Sequence, residues 1–294
     1  MKRTKTGRRI ELSARDIEIF KLLSRYRYLR STYIHAFVGG ASETRFKERL
    51  GDLFHEGYLD RPAQQWEFAD ARCMPAVHEL GTDAVRALVE SGENGGLPNT
   101  FLSASPHKQF KHSLMICEAL ASLELGAGAS TTLRFITWPE ILARAPEATR
   151  VSPTPFRLPA PSGGYLVPDG VFGIEYGANA AKSYRFFVLE ADRGTMPIAR
   201  SMSGQTSYLA KPTAYGHVIA RRAHKAHWGI PNLLVLTITT SEVRLTEMLK
   251  RLEGESSAAY LFKAVHGKEL SAPSSKLLSE PWQRSGLPPI AIDG

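Results

Sequence analysis

Tyr165-Leu-Val-Pro-Asp-Gly-Val-Phe-Gly-Ile-Glu-Tyr176 and Ser183-Tyr-Arg-Phe-Phe-Val-Leu-Glu-Ala-Asp192 decide how the second half of the chain folds. Both are rich in β-branched and aromatic residues and read as strands, with Gly177-Ala-Asn-Ala-Ala-Lys182 as the turn between them. A register symmetric about that turn puts Asp169 directly opposite Glu190, with Cβ atoms about 4.5–5.5 Å apart. Asp192, two residues further on, shares the face of Glu190. Three carboxylates then converge at one strand end, although a slip of one residue would undo the pairing. Bare, they would repel and raise one another's pKa. A hard cation such as Mg²⁺, which takes oxygen ligands, would resolve the repulsion.

Around this pair the pattern is α/β. A helix over 107–125 carries Phe110, Leu114, Cys117 and Ala121 on one stripe. A strand over 131–137 follows. The segment 204–228 reads as helix, with Pro212 kinking it or starting its main part. Leu233 to Thr239 is a buried strand, Ser241 caps a helix to about Leu252, and 258–263 is a last strand. A mixed sheet is expected, an antiparallel meander first and a crossover after it. Pro153 to Gly164 reads as a long loop within this domain, and 93–105, rich in Gly, Pro and Asn, as a linker.

The first half is different. Ser13-Ala-Arg-Asp16 is a capping-box-like start, and Ile17, Phe20 and Leu23 follow at helical spacing. Ser31 starts a short second helix that Gly39-Gly40 breaks, and Ser42 caps a third, running to about Glu56. Phe46, Leu50, Leu53 and Phe54 form the buried face of the third helix, leaving Thr44, Arg45, Lys47 and Arg49 off it. Tyr58–Arg61 reads as a strand, Pro62–Gln65 as a turn and Trp66–Phe68 as the return strand, with a closing strand over 75–80 and a helix over 83–90. Three helices and then a hairpin is the order of a winged helix-turn-helix. Its third helix suits the major groove, where Arg pairs with guanine and Lys holds phosphate. Arg61, Gln64 and Gln65 at the hairpin tip would meet the DNA backbone or minor groove. A solvated basic helix, or a winged helix used for protein docking, is the alternative.

Charge supports the first of these. The 294 residues contain 37 Lys or Arg and 29 Asp or Glu, a net charge of +8. Residues 1–62 hold fourteen of the cations and eight of the anions, a balance of +6. Lys2, Arg3, Lys5, Arg8 and Arg9 make a basic arm, too polar to pack alone and able to collapse onto phosphate. The alternative is a solvated tail that aids solubility. The expected layout is an arm over 1–10, a winged helix over 11–92, a linker over 93–105 and an α/β domain over 106–294. Two cysteines, Cys73 and Cys117, make neither a disulfide framework nor a zinc site. With no long apolar stretch and no apolar core after the basic N-terminus, a cytoplasmic setting without a membrane partner is the expectation.

Asp169 followed on the next strand by Glu190-x-Asp192 resembles the PD-(D/E)xK nuclease core. The wider chain resembles the replication-relaxation family of plasmids and other mobile elements. That likeness rests on Arg25-Tyr-Arg-Tyr28, Leu59-Asp-Arg61, His78-Glu-Leu-Gly-Thr82, Pro168-Asp169, Leu189-Glu-Ala-Asp-Arg-Gly-Thr195, and Lys211 with Tyr215. It implies a restriction-endonuclease-like second domain and a DNA-binding protein of plasmid replication, relaxation or conjugative mobilisation. The implied partners are double-stranded DNA and relaxase or replication proteins, with a homodimer as a candidate assembly.

The nuclease pattern is broken at one position, where Asp192 stands in place of the usual lysine. Lys211 and Lys182 are the candidate replacements. An active site would use Asp169, Glu190 and Asp192 as Mg²⁺ ligands and Lys211 as the catalytic cation. A degenerate nuclease fold used for binding is the preferred reading. An Mg²⁺-dependent endonuclease, a transcriptional regulator or docking module, and an acidic cluster neutralised by Arg193 are the alternatives. His217, His224 and His227 fall roughly on one helix face among Arg221, Arg222 and Lys225, which reads as a basic or packing surface rather than a metal site.

Overall fold

A computed structural model describes residues 3–4, 10–40, 42–67, 70–92, 110–160, 164–177, 182–194, 210–253, 258–266 and 269–294. The chain divides into two compact units, residues 1–121 with 270–273, and residues 122–269 with 274–294. The expected linker at 93–105 lies outside the described residues. No helix among those described is long and apolar enough to cross a membrane.

In the first unit, α1 (Ala14–Tyr26) starts at the capping box its sequence encodes. The Asp16 backbone N–H donates to Ser13 Oγ at 3.3 Å, and the Ser13 N–H donates to Asp16 Oδ2 at 2.7 Å. Arg27, at φ 64° and ψ −59°, turns the chain through a tight γ-turn in which the Tyr28 N–H donates to the Tyr26 carbonyl at 2.8 Å. β1 (Leu29–Arg30) follows, then α2 (Ser31–Val38) and α3 (Glu43–His55). α3 buries Phe46, Leu50, Leu53 and Phe54. Its end is a Schellman turn, with Gly57 at φ 95° and the Tyr58 N–H donating to the Leu53 carbonyl at 2.9 Å.

β2 (Leu59–Asp60) is followed not by a hairpin but by a 3₁₀ helix, Ala63–Glu67. Among the described residues no return strand starts at Trp66, and the Gln65 side chain instead hydrogen-bonds β3. Buried Gln65 accepts from the Val77 N–H at 2.9 Å and donates to the carbonyls of Val77 (3.1 Å) and Pro62 (3.0 Å). Phe68 lies outside the described residues. β3 (Val77–Leu80) closes the unit's sheet, pairing antiparallel with β1 on one side and β2 on the other, in the order β1-β3-β2. α4 (Thr82–Glu90) follows. α5 (Phe110–Gly128) contains the boundary between the two units, and in its first half Glu118 forms a buried ion pair with Arg30 at 2.6 Å.

The second unit is built on a seven-stranded mixed sheet. β4 (Leu133–Ile136), α6 (Trp138–Ala143) and α7 (Glu147–Arg150) come first. The segment read as a long loop carries β5 (Leu158–Pro159), which pairs with β6 (Tyr165–Leu166). β7 (Gly170–Tyr176) and β8 (Ser183–Asp192) form the expected antiparallel pair, with Gly170 opposite Leu189 and Tyr176 opposite Ser183. After α8 (Ala210–Ala220) and α9 (Ala223–Trp228), β9 (Leu234–Thr239) lies parallel to β8. α10 (Glu242–Arg251) leads to β10 (Tyr260–Ala264), parallel to β9. Beyond a short α11 (Lys276–Ser279), β11 (Trp282–Arg284) and β12 (Leu287–Ile290) complete the order β12-β11-β10-β9-β8-β7-β4. β8 sits inside this sheet, and every residue from Phe186 to Asp192 is buried.

Gly81 shows how tightly the first unit closes. A Cβ there would lie 2.2 Å from the Gly57 carbonyl oxygen and 2.8 Å from the Tyr58 carbonyl carbon, both backbone atoms. We expect Gly81→Ala to destabilise the protein by about 1–3 kcal/mol or more. Gly51→Ala, inside α3 with nothing within 4 Å of the new methyl, should instead stabilise by roughly 0.5–1 kcal/mol. Urea denaturation of both variants checks the pair.

Candidate functional site

The strand pair brings the predicted carboxylates together. Asp169 immediately precedes the first paired residue of β7, and its Oδ2 accepts from the Ala191 N–H of β8 at 2.9 Å. Glu190 is only 3% exposed. A buried carboxylate needs compensation, and α8 supplies it. Lys211 and Tyr215, four residues apart and so on one helix face, both reach Glu190. The Lys211 ammonium binds Glu190 Oε2 and lies 3.9 Å from Asp169 Oδ2. The Tyr215 hydroxyl donates to Glu190 Oε1 at 2.5 Å. Pro212 sits in the first turn of α8, where proline is tolerated.

The electrostatics follow from burial. Removal from water, reinforced by the charge of Asp169, pushes the Glu190 carboxyl up to about 7, even though Lys211 and Tyr215 stabilise its ionised form. For Lys211, burial favours the neutral amine, but the carboxylates of Glu190 and Asp169 outweigh it and raise the pKa.

Asp192 has its own partners. Arg244 from α10 donates Nη2–H to Oδ1 at 2.9 Å and Nε–H to Oδ2. Thr239, its register partner on β9, donates a hydroxyl hydrogen bond of 3.3 Å. The cation beside this carboxylate is thus Arg244, which sequence reasoning overlooked in favour of neighbouring Arg193. Lys182, the other candidate lysine, belongs to the far end of the strand pair, where it binds Glu175 at 2.5 Å.

This donor set does not fit a bound Mg²⁺. The position between Asp169 and Glu190 is taken by an ammonium group, and both oxygens of Asp192 accept hydrogen bonds from a guanidinium. No group of three or more His, Cys, Asp or Glu residues that could hold a metal occurs among the described residues. The three histidines near α8 and α9 diverge. His224 is buried, His217 is exposed, and His227 Nε2 lies 2.8 Å from the Pro155 carbonyl.

In the first unit, Thr44, Arg45 and Lys47 are exposed on α3, and Lys47 pairs along the helix with Glu43 at 2.7 Å. Arg49 is engaged elsewhere. It binds the Asp16 carboxylate at 2.6 and 3.1 Å and the Glu11 carbonyl at 2.8 Å, so it braces the start of α1. Burial alone would raise the Asp16 pKa, but the hydrogen bonds from Arg49 and Ser13 hold it below its ordinary value. Arg61 lies over the Phe54 ring at 4.5 Å, and Gln64 is half-buried. Arg8 and Arg9 lie outside the described residues.

Glu190 makes a pH prediction. A carboxyl whose folded pKa is raised from 4.5 to about 7 holds its proton in the folded chain where the unfolded chain has lost it. Its contribution is complete below about pH 4.5 and drains away as pH rises to about 7. Unfolding free energies measured across that window should fall less steeply in Glu190→Gln than in the parent protein.

No curated protein and no solved structure matches the chain. A family model described as replication-relaxation matches residues 20–233, which contain both the α3 surface and the charged strand pair. The chain is a member of the replication-relaxation family.

Proposed function

We propose that the protein binds duplex DNA in plasmid or mobile-element replication or relaxation, through its first unit used as a winged helix. The order α1-β1-α2-α3-β2-β3 with the sheet β1-β3-β2 supports this reading. The observation that carries it is the solvent face of α3, which presents Thr44, Arg45 and Lys47 while the opposite face is buried. Such a helix fits the major groove, with Arg45 toward guanine or phosphate and Lys47 toward phosphate. The second unit acts in this proposal as a nuclease-like scaffold without efficient cleavage. Lys211 and Arg244 satisfy the carboxylates that cutting would require to be free.

Gel-shift or anisotropy titrations at several salt concentrations test the first part. Affinity for duplex DNA should fall steeply with salt. Arg45→Glu/Lys47→Glu should weaken binding at least about tenfold and flatten the log–log salt slope by about two. Unchanged binding in that variant removes α3 from the interface.

The competing reading is an Mg²⁺-dependent endonuclease. It is favoured by one observation, a lysine nitrogen reaching both Asp169 and Glu190. Supercoiled plasmid incubated with the protein and Mg²⁺ or Mn²⁺ separates the two. We expect the plasmid to stay supercoiled. Nicking that disappears in Asp169→Ala would establish the enzyme instead.

A further inference from the structure

The residues leading into Asp169 form a surface that the charged cluster does not use. Along Tyr165-Leu-Val-Pro-Asp169, exposure alternates. Leu166 and Pro168 are buried, whereas Tyr165 is 66% and Val167 43% exposed. Large apolar side chains are thus held in water on the approach to Asp169. The backbone that holds them is anchored. Tyr165 pairs with Pro159 and Leu166 with Leu158, whose side chain is fully buried. Arg157 lies over the Tyr165 ring, 5.8 Å from its centroid. Among the described residues, Tyr165 keeps this exposure even with Arg157 over one face of its ring.

The helices that β5 and β6 pack against carry exposed cations. β5 packs against α9 and β6 against α8. At the junction of those helices Arg221, Arg222 and Lys225 are all exposed. Arg222 holds a left-handed backbone, φ 53° and ψ 30°, which side-chain-bearing residues adopt at a cost. Lys211, paired with Glu190 and near Asp169, offsets part of the negative charge at the end of this approach.

An exposed aromatic ring on a paired strand, covered on one face by an arginine and with exposed cations on the helices that these strands pack against, is the chemistry that binds unpaired nucleic acid. Bases stack on the ring, and the cations follow the backbone. Duplex DNA would offer this ring nothing, since its bases are already stacked. We infer that the second unit carries a binding site for single-stranded DNA, in which Tyr165 stacks an unpaired base against Arg157 and Arg221, Arg222 and Lys225 contact phosphate. The site is separate from the α3 surface and does not depend on it.

Fluorescence anisotropy of the full chain with an oligothymidine of about 12 nucleotides tests it, with a duplex of equal length as the second probe. Tyr165→Ala should weaken oligothymidine binding about 5- to 100-fold, Tyr165→Phe should retain it, and both should bind duplex like the parent protein. Arg221→Glu/Arg222→Glu should weaken oligothymidine binding and flatten its salt dependence. Ultraviolet irradiation with a 5-iodouracil-substituted oligonucleotide should attach it to the peptide containing Tyr165. Parental affinity for oligothymidine in Tyr165→Ala or in the double reversal overturns the site. So does equal loss of both probes, or failure of the parent protein to bind oligothymidine.

Discussion

Two carboxylates buried in an interior strand have to be neutralised, and that requirement organises the second unit. β8 is covered from Phe186 to Asp192, yet it carries Glu190 and Asp192. Isolated ionised groups in such a setting cost far more than the few kcal/mol by which a domain is stable. The helix after β8 therefore brings Lys211 and Tyr215 to Glu190, and the helix after β9 brings Arg244 to Asp192. Because β8 and β9 run parallel, Asp192 and Thr239 fall at the same sheet end, where both helices can answer the charge. Compensation is incomplete at Glu190, whose carboxyl stays near 7.

The first unit is governed by close backbone approach rather than by charge. Its sheet has only short strands, so the turns around them define the fold. Gly57 ends α3 in a left-handed conformation, and Gly81 lies against that same turn with no room for a methyl group. Gln65 hydrogen-bonds Val77 of β3 through its side-chain amide. The effect is to fix α3 against α1 and the small sheet while its outer face stays in water. Arg49 contributes to that bracing through Asp16, whereas Arg45 and Lys47 on the same helix are exposed.

Local signals in the sequence were strong enough to read most of this. The Ser13, Ser42 and Ser241 caps, the apolar stripe of α3 and the turn-symmetric pairing of β7 with β8 depend on near neighbours, and the structure follows them. The features that escaped depend on distant partners. Nothing near Gln65 announces that its side chain will hydrogen-bond β3. Arg244 lies 52 residues from Asp192, and only the parallel pairing of β8 with β9 brings its helix to that carboxylate. Arg193 was adjacent in sequence and therefore the more visible candidate. Tyr215 carried a readable signal, its four-residue spacing from Lys211, whose importance appears only once Glu190 is known to be buried.

In the second unit the anions at the site belong to the sheet and its edge turn, and the cations belong to helices. The two sets are therefore encoded by separate stretches of chain and cannot be exchanged one at a time. Loss of a helix-borne cation leaves its carboxylate without a counter-charge, which a hydrogen bond such as that from Thr239 does not replace, whereas simultaneous loss of both members of a pair leaves only a space to fill. Descendants of this protein should accordingly keep or abandon Glu190 with Lys211, and Asp192 with Arg244, as linked units, even while the strands themselves drift.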